Sequence, residues 1–125
     1  MNALQRKVAL VATMYELLEF TEHSHIGTRL ELKGGPTPPE VIGTRGNHTP
    51  DLFAKAPRGR MVLIETVNQE DLRDAEKLKN KLQLFFTASE AYGWTFYLAC
   101  FSGIASDVKH FCSRNRIRYS RLWEI

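Results

Sequence analysis

The sequence predicts an α/β domain in which helices cover a mixed β-sheet. Two long segments, residues 2–20 and 68–92, carry apolar side chains at intervals of three and four residues, which is the period of one helix face. Short apolar or alternating runs, bounded by glycine and proline, lie between these segments and after them, and such runs are typical of strands. The predicted order α-β-β-β-α-β-α-β favours a layered architecture with one mixed sheet.

The first half of the chain is predicted to form one helix and three strands. Residues 28–32 alternate polar and apolar side chains and lead into a Gly-Gly-Pro turn, so we expect a strand there. Residues 51–56 and 61–64 flank a Pro-Arg-Gly turn, and their short apolar runs are expected to pair as a hairpin. The buried face of the helix is predicted to carry Leu4, Val8, Val11, Tyr15 and Leu18.

The second half is predicted to form two helices and two strands. The first helix is expected to begin at an Asn68 cap and to end just before Gly93. The continuous apolar and aromatic run 94–101 is typical of a central strand that is covered on both faces. A short helix around residues 108–112 and a last strand over 117–123 complete the predicted fold.

The composition is that of one globular domain spanning residues 1–125. Hydrophobic residues make up 43% of the chain and charged residues 25%, which excludes disorder and fibrous repeats. Cys100 and Cys112 form no C-x-x-C pair, and the N-terminus lacks the apolar block of a signal peptide. No apolar run reaches the ~18 residues of a membrane span. We therefore expect a cytoplasmic protein without membrane association, and the net charge of +3 permits a polyanionic partner.

Two acidic residues are expected to meet on neighbouring strands. Asp51 begins one strand of the predicted hairpin and Glu65 ends the other, so their side chains are placed side by side. Adjacent carboxylates repel each other, and a divalent cation held through hard oxygen ligands allows both to stay ionised. Mg²⁺ or Mn²⁺ suits such a site, and an ion there supports phosphodiester hydrolysis.

In this context the sequence resembles the PD-(D/E)xK phosphodiesterase superfamily. Pro50-Asp51 matches the "PD" of the motif, and Glu65-Thr66-Val67 stands where "ExK" is expected. The resemblance covers roughly residues 15–101. It implies a restriction-endonuclease-like fold and a metal-dependent nuclease that acts on DNA.

The motif departs from the superfamily at its lysine, where this chain has Val67. Some members supply this lysine from the following helix. At about 100° per residue, Lys79 borders the predicted buried face of that helix, whereas Lys77 and Lys81 project away from it. We therefore predict Lys79 as the relocated catalytic lysine, with Lys55, on the same strand face as Asp51, as the second candidate.

Four further side chains are candidates for the same site. Many superfamily members contribute a glutamate from the first helix to the metal shell, and Glu19 borders the apolar face there. Related nucleases often carry a glutamine on the later helix, which points to Gln83 as a contact to substrate or to the lysine. His48, three residues before Asp51, is expected to contact a phosphate or to act as a base, and Arg45 is expected to lie near the metal site and to contact nucleic acid.

A basic segment near the C-terminus is the second candidate interface. Residues 109–121 include Arg114, Arg116 and Arg118 and contain no acidic residue, and aromatic residues lie among the cations. Such a segment suits phosphates and exposed bases. Alternatively, its charges protect an edge strand from aggregation.

The sequence thus leaves open whether the protein is an enzyme, and two hypotheses follow from the resemblance. The first is a Mg²⁺-dependent endonuclease in which Asp51, Glu65 and Glu19 hold the metal and Lys79 assists catalysis. The alternative is a catalytically inactive member of the same fold that binds nucleic acid or protein. Nucleases of this fold frequently act as dimers, so the resemblance implies a homodimer. Because so short a chain has little room for a recognition domain, a partner protein is expected to supply specificity. A third possibility is that the motif is accidental in an unrelated α/β domain.

Overall fold

A five-stranded mixed sheet organises the computed structural model, which describes residues 1–30 and 35–125. The strand order is β1-β2-β3-β4-β5; β1, β2 and β3 are antiparallel neighbours, and β3, β4 and β5 are parallel. This confirms the predicted α/β class with a mixed sheet flanked by helices. Within the described residues the elements are α1 (Ala3–Phe20), β1 (Ser24–Thr28), β2 (Leu52–Lys55), β3 (Met61–Thr66), α2 (Gln69–Arg73), α3 (Ala75–Tyr92), β4 (Thr95–Cys100), a 3₁₀ helix (Ser102–Ile104), α4 (Ala105–Arg114) and β5 (Arg121–Glu124).

Helix α1 covers one face of the sheet and begins with a capping box. The Asn2 side chain accepts a hydrogen bond from the Gln5 backbone, and the Gln5 side chain accepts one from the Asn2 backbone, which satisfies two free N–H groups at the helix start. Its buried residues are Leu10, Val11, Met14 and Leu18, and the helix packs on β1, β2, β3 and β4. The first-turn residue Leu4 is exposed, contrary to the predicted stripe.

Strand β1 lies earlier in the chain than predicted. The strand spans Ser24–Thr28 instead of 28–32; residue 30 lies in a turn, and residues 31–32 fall outside the described part of the chain. Gly27 pairs with Phe53 of β2, and a Cβ at Gly27 would lie 2.2 Å from the Pro36 carbonyl oxygen. This strand position therefore carries a glycine, because another segment of the backbone passes too close to it to leave room for a side chain.

The hairpin β2–β3 forms as predicted and brings Asp51 beside Glu65. Leu52 pairs with Ile64, and Lys55 with Met61, so Asp51 directly precedes the first pair and Glu65 directly follows it. Both acidic side chains are buried, Asp51 with 0% and Glu65 with 2% exposure. The backbone pairing thus places two carboxylates together inside the protein.

The long helix predicted from Asn68 is two helices in the structure. Helix α2 has a capping box between Asn68 and Asp71, and it ends at Asp74, whose backbone leaves the helical region before α3 begins. Helix α3 ends at Gly93 in the left-handed conformation (φ 70°), as a helix-terminating glycine requires. The Asn68 cap and the Gly93 end are confirmed, but the interruption changes the rotation of α3 relative to the predicted face.

The other sheet face is covered by α3 and α4. These helices share a core with β3 and β4 that includes Leu82, Phe85, Phe96, Leu98 and Phe111. Strand β4 is mostly buried, as predicted, and it is an interior strand between β3 and β5; the middle strand of the sheet is β3. Both cysteines are buried and unpaired, so the structure uses neither as a staple.

Strand β5 begins later than the predicted 117–123 because α4 ends in a Schellman motif. The Ile117 backbone donates to the Cys112 carbonyl oxygen (2.9 Å), and the Arg116 backbone donates to the Ser113 carbonyl oxygen (3.3 Å). Arg116 occupies the left-handed position of this motif (φ 56°).

Among the described helices, none has the length and apolarity needed to cross a membrane.

Candidate functional site

A cavity of about 490 Å³ opens between α1, the segment that leads into β2, the end of β3, α2 and the start of α3. Glu65 lies on its wall, and Asp51 lies behind the wall without exposed surface. Its lining contains four cations, Lys7, Arg29, Lys77 and Lys81, and four acids, Glu65, Glu70, Asp71 and Asp74, together with His48. The cavity is therefore a charged site with no large excess of either sign.

Asp51 accepts hydrogen bonds at both carboxylate oxygens. Its Oδ1 atom accepts from Arg29 Nη2 at 2.9 Å and from Arg29 Nε at 3.2 Å. Its Oδ2 atom accepts from the Thr66 backbone N–H (3.0 Å), the Thr66 hydroxyl (2.6 Å) and Lys7 Nζ (3.0 Å). Because Asp51 is fully buried, these donors replace the water that would otherwise solvate its charge.

Glu65 joins the same network through its own two oxygens. Its Oε1 atom accepts from the Asp51 backbone N–H at 2.9 Å, and its Oε2 atom lies 2.8 Å from Lys81 Nζ. Lys81 also lines the cavity, so its side chain connects the buried acid to the open space. The two acids are therefore held by crossed backbone contacts, each carboxylate accepting an N–H from the other strand.

The pKa values of the pair move in opposite directions. Burial raises the pKa of Asp51, but Lys7, the Thr66 hydroxyl and Arg29 more than compensate and lower it to about 2. Burial and the neighbouring Asp51 charge raise the pKa of Glu65 to about 7, against the opposing effect of Lys81. Burial alone would lower the pKa of Lys81, but the charge and hydrogen bond of Glu65 raise it. Asp51 is thus the permanent anion, and Glu65 titrates near neutral pH.

Lys81 takes the position at Glu65 that was predicted for Lys79. Counting about 100° per residue from the centre of the buried face of α3, Lys81 lies roughly 50° to one side and Lys79 roughly 110° to the other. The prediction was wrong because Leu72 belongs to the separate helix α2 and Ala75 is exposed. Including both residues rotated the predicted face toward Lys79, which is not among the described residues that line the cavity.

Two other predicted residues lie away from the carboxylate pair. Glu19 is exposed in the last turns of α1, twelve residues and therefore about 18 Å along the helix from Lys7, which reaches Asp51. It cannot share an ion with Asp51, so the predicted third metal ligand is not at the site. Lys55 is exposed at the far end of β2, about 13 Å along the strand from Asp51.

A second, shallower cavity of about 390 Å³ adjoins the first at His48, which lines both. Arg45 and Gln83 line this second cavity, as does Asn80, whose side-chain oxygen accepts a hydrogen bond from Arg45 (3.3 Å). Gln83 also donates to the Asn115 carbonyl oxygen at 3.3 Å. Burial and the positive charges of Lys81 and Lys77 lower the pKa of His48. Arg45, His48 and Gln83 are thus brought together in the second cavity. His48 also borders the carboxylate cavity, whereas Arg45 and Gln83 do not line it.

The three predicted arginines lie on another part of the surface. Arg114, Arg116 and Arg118 are exposed, and they lie between the end of α4 and the start of β5. Because Ser120 donates to the Phe96 carbonyl oxygen near the amino-terminal end of β4, this segment lies toward the end of the parallel strands opposite Glu65. The carboxylate site and the basic segment are therefore separate features.

The metal that the resemblance implies does not fit this arrangement. Every oxygen of Asp51 and Glu65 already has a donor on a protein cation or N–H group. Lys7, Arg29 and Lys81 balance the charge that an ion would balance. The described residues also contain no group of three or more His, Cys, Asp or Glu side chains placed to hold a metal ion.

Sequence reasoning did not identify Lys7, Arg29 or Asp71 as members of the site. Lys7 and Arg29 are 44 and 22 residues from Asp51 in the chain, so no local spacing connects them with it. One available signal was charge balance, because two carboxylates buried together require nearby cations. That requirement gives the sign of the missing partners but not their identity.

Comparison with known proteins adds no family: no protein-family model, curated protein or solved structure matches the chain significantly.

Proposed function

We propose that this chain is a catalytically inactive domain of the restriction-endonuclease-like type that binds DNA through its basic segment, residues 109–121. The observation that carries the proposal is the set of exposed arginines at the end of α4, which have no acidic partner within the described residues. Unpaired exposed arginines are suited to phosphates because each guanidinium can form paired hydrogen bonds with them.

The other two cations of the basic segment have partners. Lys109 lies 3.4 Å from Glu124, and the Arg121 guanidinium lies 3.5 Å from the centre of the Trp123 ring. The unneutralised charge is therefore concentrated at Arg114, Arg116 and Arg118. Charges that protect an edge strand from aggregation are needed less here, because β5 spans only four residues. Phosphate contact at these three positions is therefore the better explanation of the basic segment.

The backbone of Arg116 supports a functional role for that residue. The left-handed position of a Schellman motif is usually glycine, because a side chain there costs conformational energy. The chain carries an exposed arginine at that position (φ 56°). A strained residue whose side chain makes no described ion pair is more readily explained by an external ligand than by stability.

The state of the carboxylate site supports binding without catalysis. Val67 replaces the motif lysine and is completely buried, so it can neither activate water nor stabilise charge. Asp51 and Glu65 are compensated by protein side chains. DNA binding at Arg114–Arg118 should therefore not require Mg²⁺ or Mn²⁺.

The rival function is metal-dependent hydrolysis of DNA, and one contact favours it. Lys81 reaches both Glu65 and the open cavity, which is where a lysine that assists hydrolysis is needed. For this function, Lys7 and Arg29 would have to leave Asp51 and a divalent ion would have to replace them. The proposal is preferred because it needs no such rearrangement.

Removing the three arginines tests the proposed interface. The triple variant R114Q/R116Q/R118Q is expected to bind labelled duplex DNA roughly 10- to 100-fold more weakly in EDTA at low salt, and its plot of log affinity against log salt should be less steep by about 3. Fluorescence anisotropy over a salt series measures both quantities, and single-stranded DNA and RNA are tested in parallel.

A matched triple variant provides the control. Lys55, Arg58 and Arg60 are exposed cations of the β2–β3 hairpin, and β3 and β4 separate β2 from β5 in the sheet. K55Q/R58Q/R60Q removes the same charge and should change the affinity much less. Equal losses in the two triple variants, or unchanged binding by the arginine variant, would contradict a DNA interface at Arg114–Arg118.

Arg116→Gly separates binding from stability. Glycine relieves the left-handed backbone at this position, so we expect the free energy of unfolding to rise by up to about 1 kcal/mol. DNA affinity should fall at the same time, because one phosphate contact is lost. Urea unfolding and anisotropy of the same preparation measure the two effects; a loss of stability together with unchanged DNA affinity would show that Arg116 is a structural residue.

A further inference from the structure

The ammonium group of Lys7 lies among three oxygen atoms beside the carboxylate pair. Lys7 Nζ is 2.7 Å from the Thr66 carbonyl oxygen, 3.0 Å from Asp51 Oδ2 and 3.5 Å from Asp71 Oδ2. Carboxylate and backbone carbonyl oxygens are also the ligands that hard divalent cations prefer. We propose that Lys7 is a tethered cation occupying a position that would otherwise bind a divalent metal ion, and that removing its charge opens a metal site.

Three different elements position these oxygens. Asp51 precedes β2 and Thr66 ends β3, so the hairpin register brings them together. Asp71 is held by the capping box of α2, in which its Oδ2 atom accepts the Asn68 backbone N–H at 2.9 Å. Since all three acceptors are held by other contacts, the oxygen cluster should persist when Lys7 is replaced.

The charges around Lys7 balance without an additional ion. Asp51, Glu65 and Asp71 can contribute three negative charges. Lys7, Arg29 and Lys81 contribute three positive charges within ion-pair distance of them. A divalent cation bound beside Lys7 would be strongly repelled by the ammonium group at such short range. Occupation by Lys7 and by a metal ion are therefore mutually exclusive.

Lys7 has an advantage over a free ion because it belongs to the folded chain. Its side chain is 12% exposed and extends from α1, which is packed on the sheet through Leu10, Val11 and Met14. A tethered group acts at a high effective concentration, so dilute metal ions compete poorly with it. This inference does not depend on the proposed DNA interface, which uses residues at the other end of the sheet.

Lys7→Met provides the direct test because it keeps most of the side-chain length and removes the charge. In metal-free buffer this variant should be less stable than the wild type, since an acid of the cluster loses its partner. Mn²⁺ should raise its Tm in a saturable manner, by about 5 °C at roughly tenfold excess over the dissociation constant. The wild type should show no comparable increase, and neither should Lys7→Arg, which retains the charge.

The control is Lys77→Met, which removes an exposed lysine from the wall of the same cavity. Its Tm should not respond to Mn²⁺. Should Lys7→Met be unfolded without metal, refolding on addition of Mn²⁺ supports the proposal, and failure to refold while Lys7→Arg is folded overturns it. A folded Lys7→Met variant whose Tm does not respond to Mn²⁺ also overturns the proposal. So does Mn²⁺ binding by the wild type that is lost in the Asp51→Asn variant. None of these readouts involves DNA, so the proposed DNA interface can fail or succeed separately.

Discussion

Replacing Asp51 with alanine is expected to lower the free energy of unfolding by about 3–5 kcal/mol, which is the cost of breaking a buried ion pair by removing one partner. Asp51 has no exposed surface, and it accepts hydrogen bonds from Arg29, Lys7 and the Thr66 backbone and hydroxyl. Its removal leaves the Thr66 N–H without a described acceptor. It also removes the negative charge that lies closest to the Lys7 ammonium group. Urea or thermal unfolding of the purified variant measures the loss.

The control for Asp51→Ala is the replacement of an exposed acidic residue, which removes the same negative charge without breaking a buried contact. Glu16 is exposed in the C-terminal half of α1, and Glu16→Ala should change the free energy of unfolding by about 0.5 kcal/mol or less. Similar small effects for the two alanine variants would mean that the buried ion pairs at Asp51 do not stabilise the fold.

The second large effect is a pH dependence that comes from Glu65. Its pKa is raised from 4.5 to about 7 in the folded protein, so between these values the folded state binds more protons than the unfolded state. The contribution of Glu65 to stability is therefore greatest at low pH and declines as the pH rises through about 7. Glu65→Gln mimics the protonated form and should remove this decline.

Urea unfolding of the wild type and Glu65→Gln at several pH values tests this prediction. Between pH 5 and pH 8, the stability of the glutamine variant relative to the wild type should increase by roughly 2–3 kcal/mol. The comparison between variants cancels the contribution of other groups, such as His48, whose pKa is lowered. A difference that does not vary with pH would show that Glu65 is ionised throughout this range, with Lys81 dominating over burial and Asp51.

Local sequence patterns were sufficient for much of the fold. The hairpin that joins Asp51 to Glu65 followed from a turn between two short apolar runs, and Gly93 marked the end of α3. Strand β1 was misplaced because its position depends on the backbone near Pro36 passing over Gly27, a contact between separate segments. The division of the long helix at Asp74 was missed because the apolar period continued across the break.

The acidic residues of the candidate site could be predicted from the sequence, but the cationic residues that contact them could not. Asp51 and Glu65 lie next to each other because strand pairing is local, and a short motif can identify them. Lys7 and Arg29 approach Asp51 from α1 and from the end of β1, which only the packed structure brings together. The choice of Lys79 over Lys81 depended on a helix rotation that the break at Asp74 altered.

The most direct test of the central claim is one binding measurement in which the DNA is recovered afterwards. Labelled duplex DNA is titrated with the wild type by anisotropy in EDTA and again with Mg²⁺ or Mn²⁺ at constant ionic strength, and each sample is then run on a denaturing gel beside samples with Glu65→Gln. We expect the same affinity with and without metal, and intact DNA throughout. Binding that requires the metal, or DNA cleaved by the wild type and left intact by Glu65→Gln, would contradict a metal-independent binding domain and establish the carboxylate pair as a catalytic site.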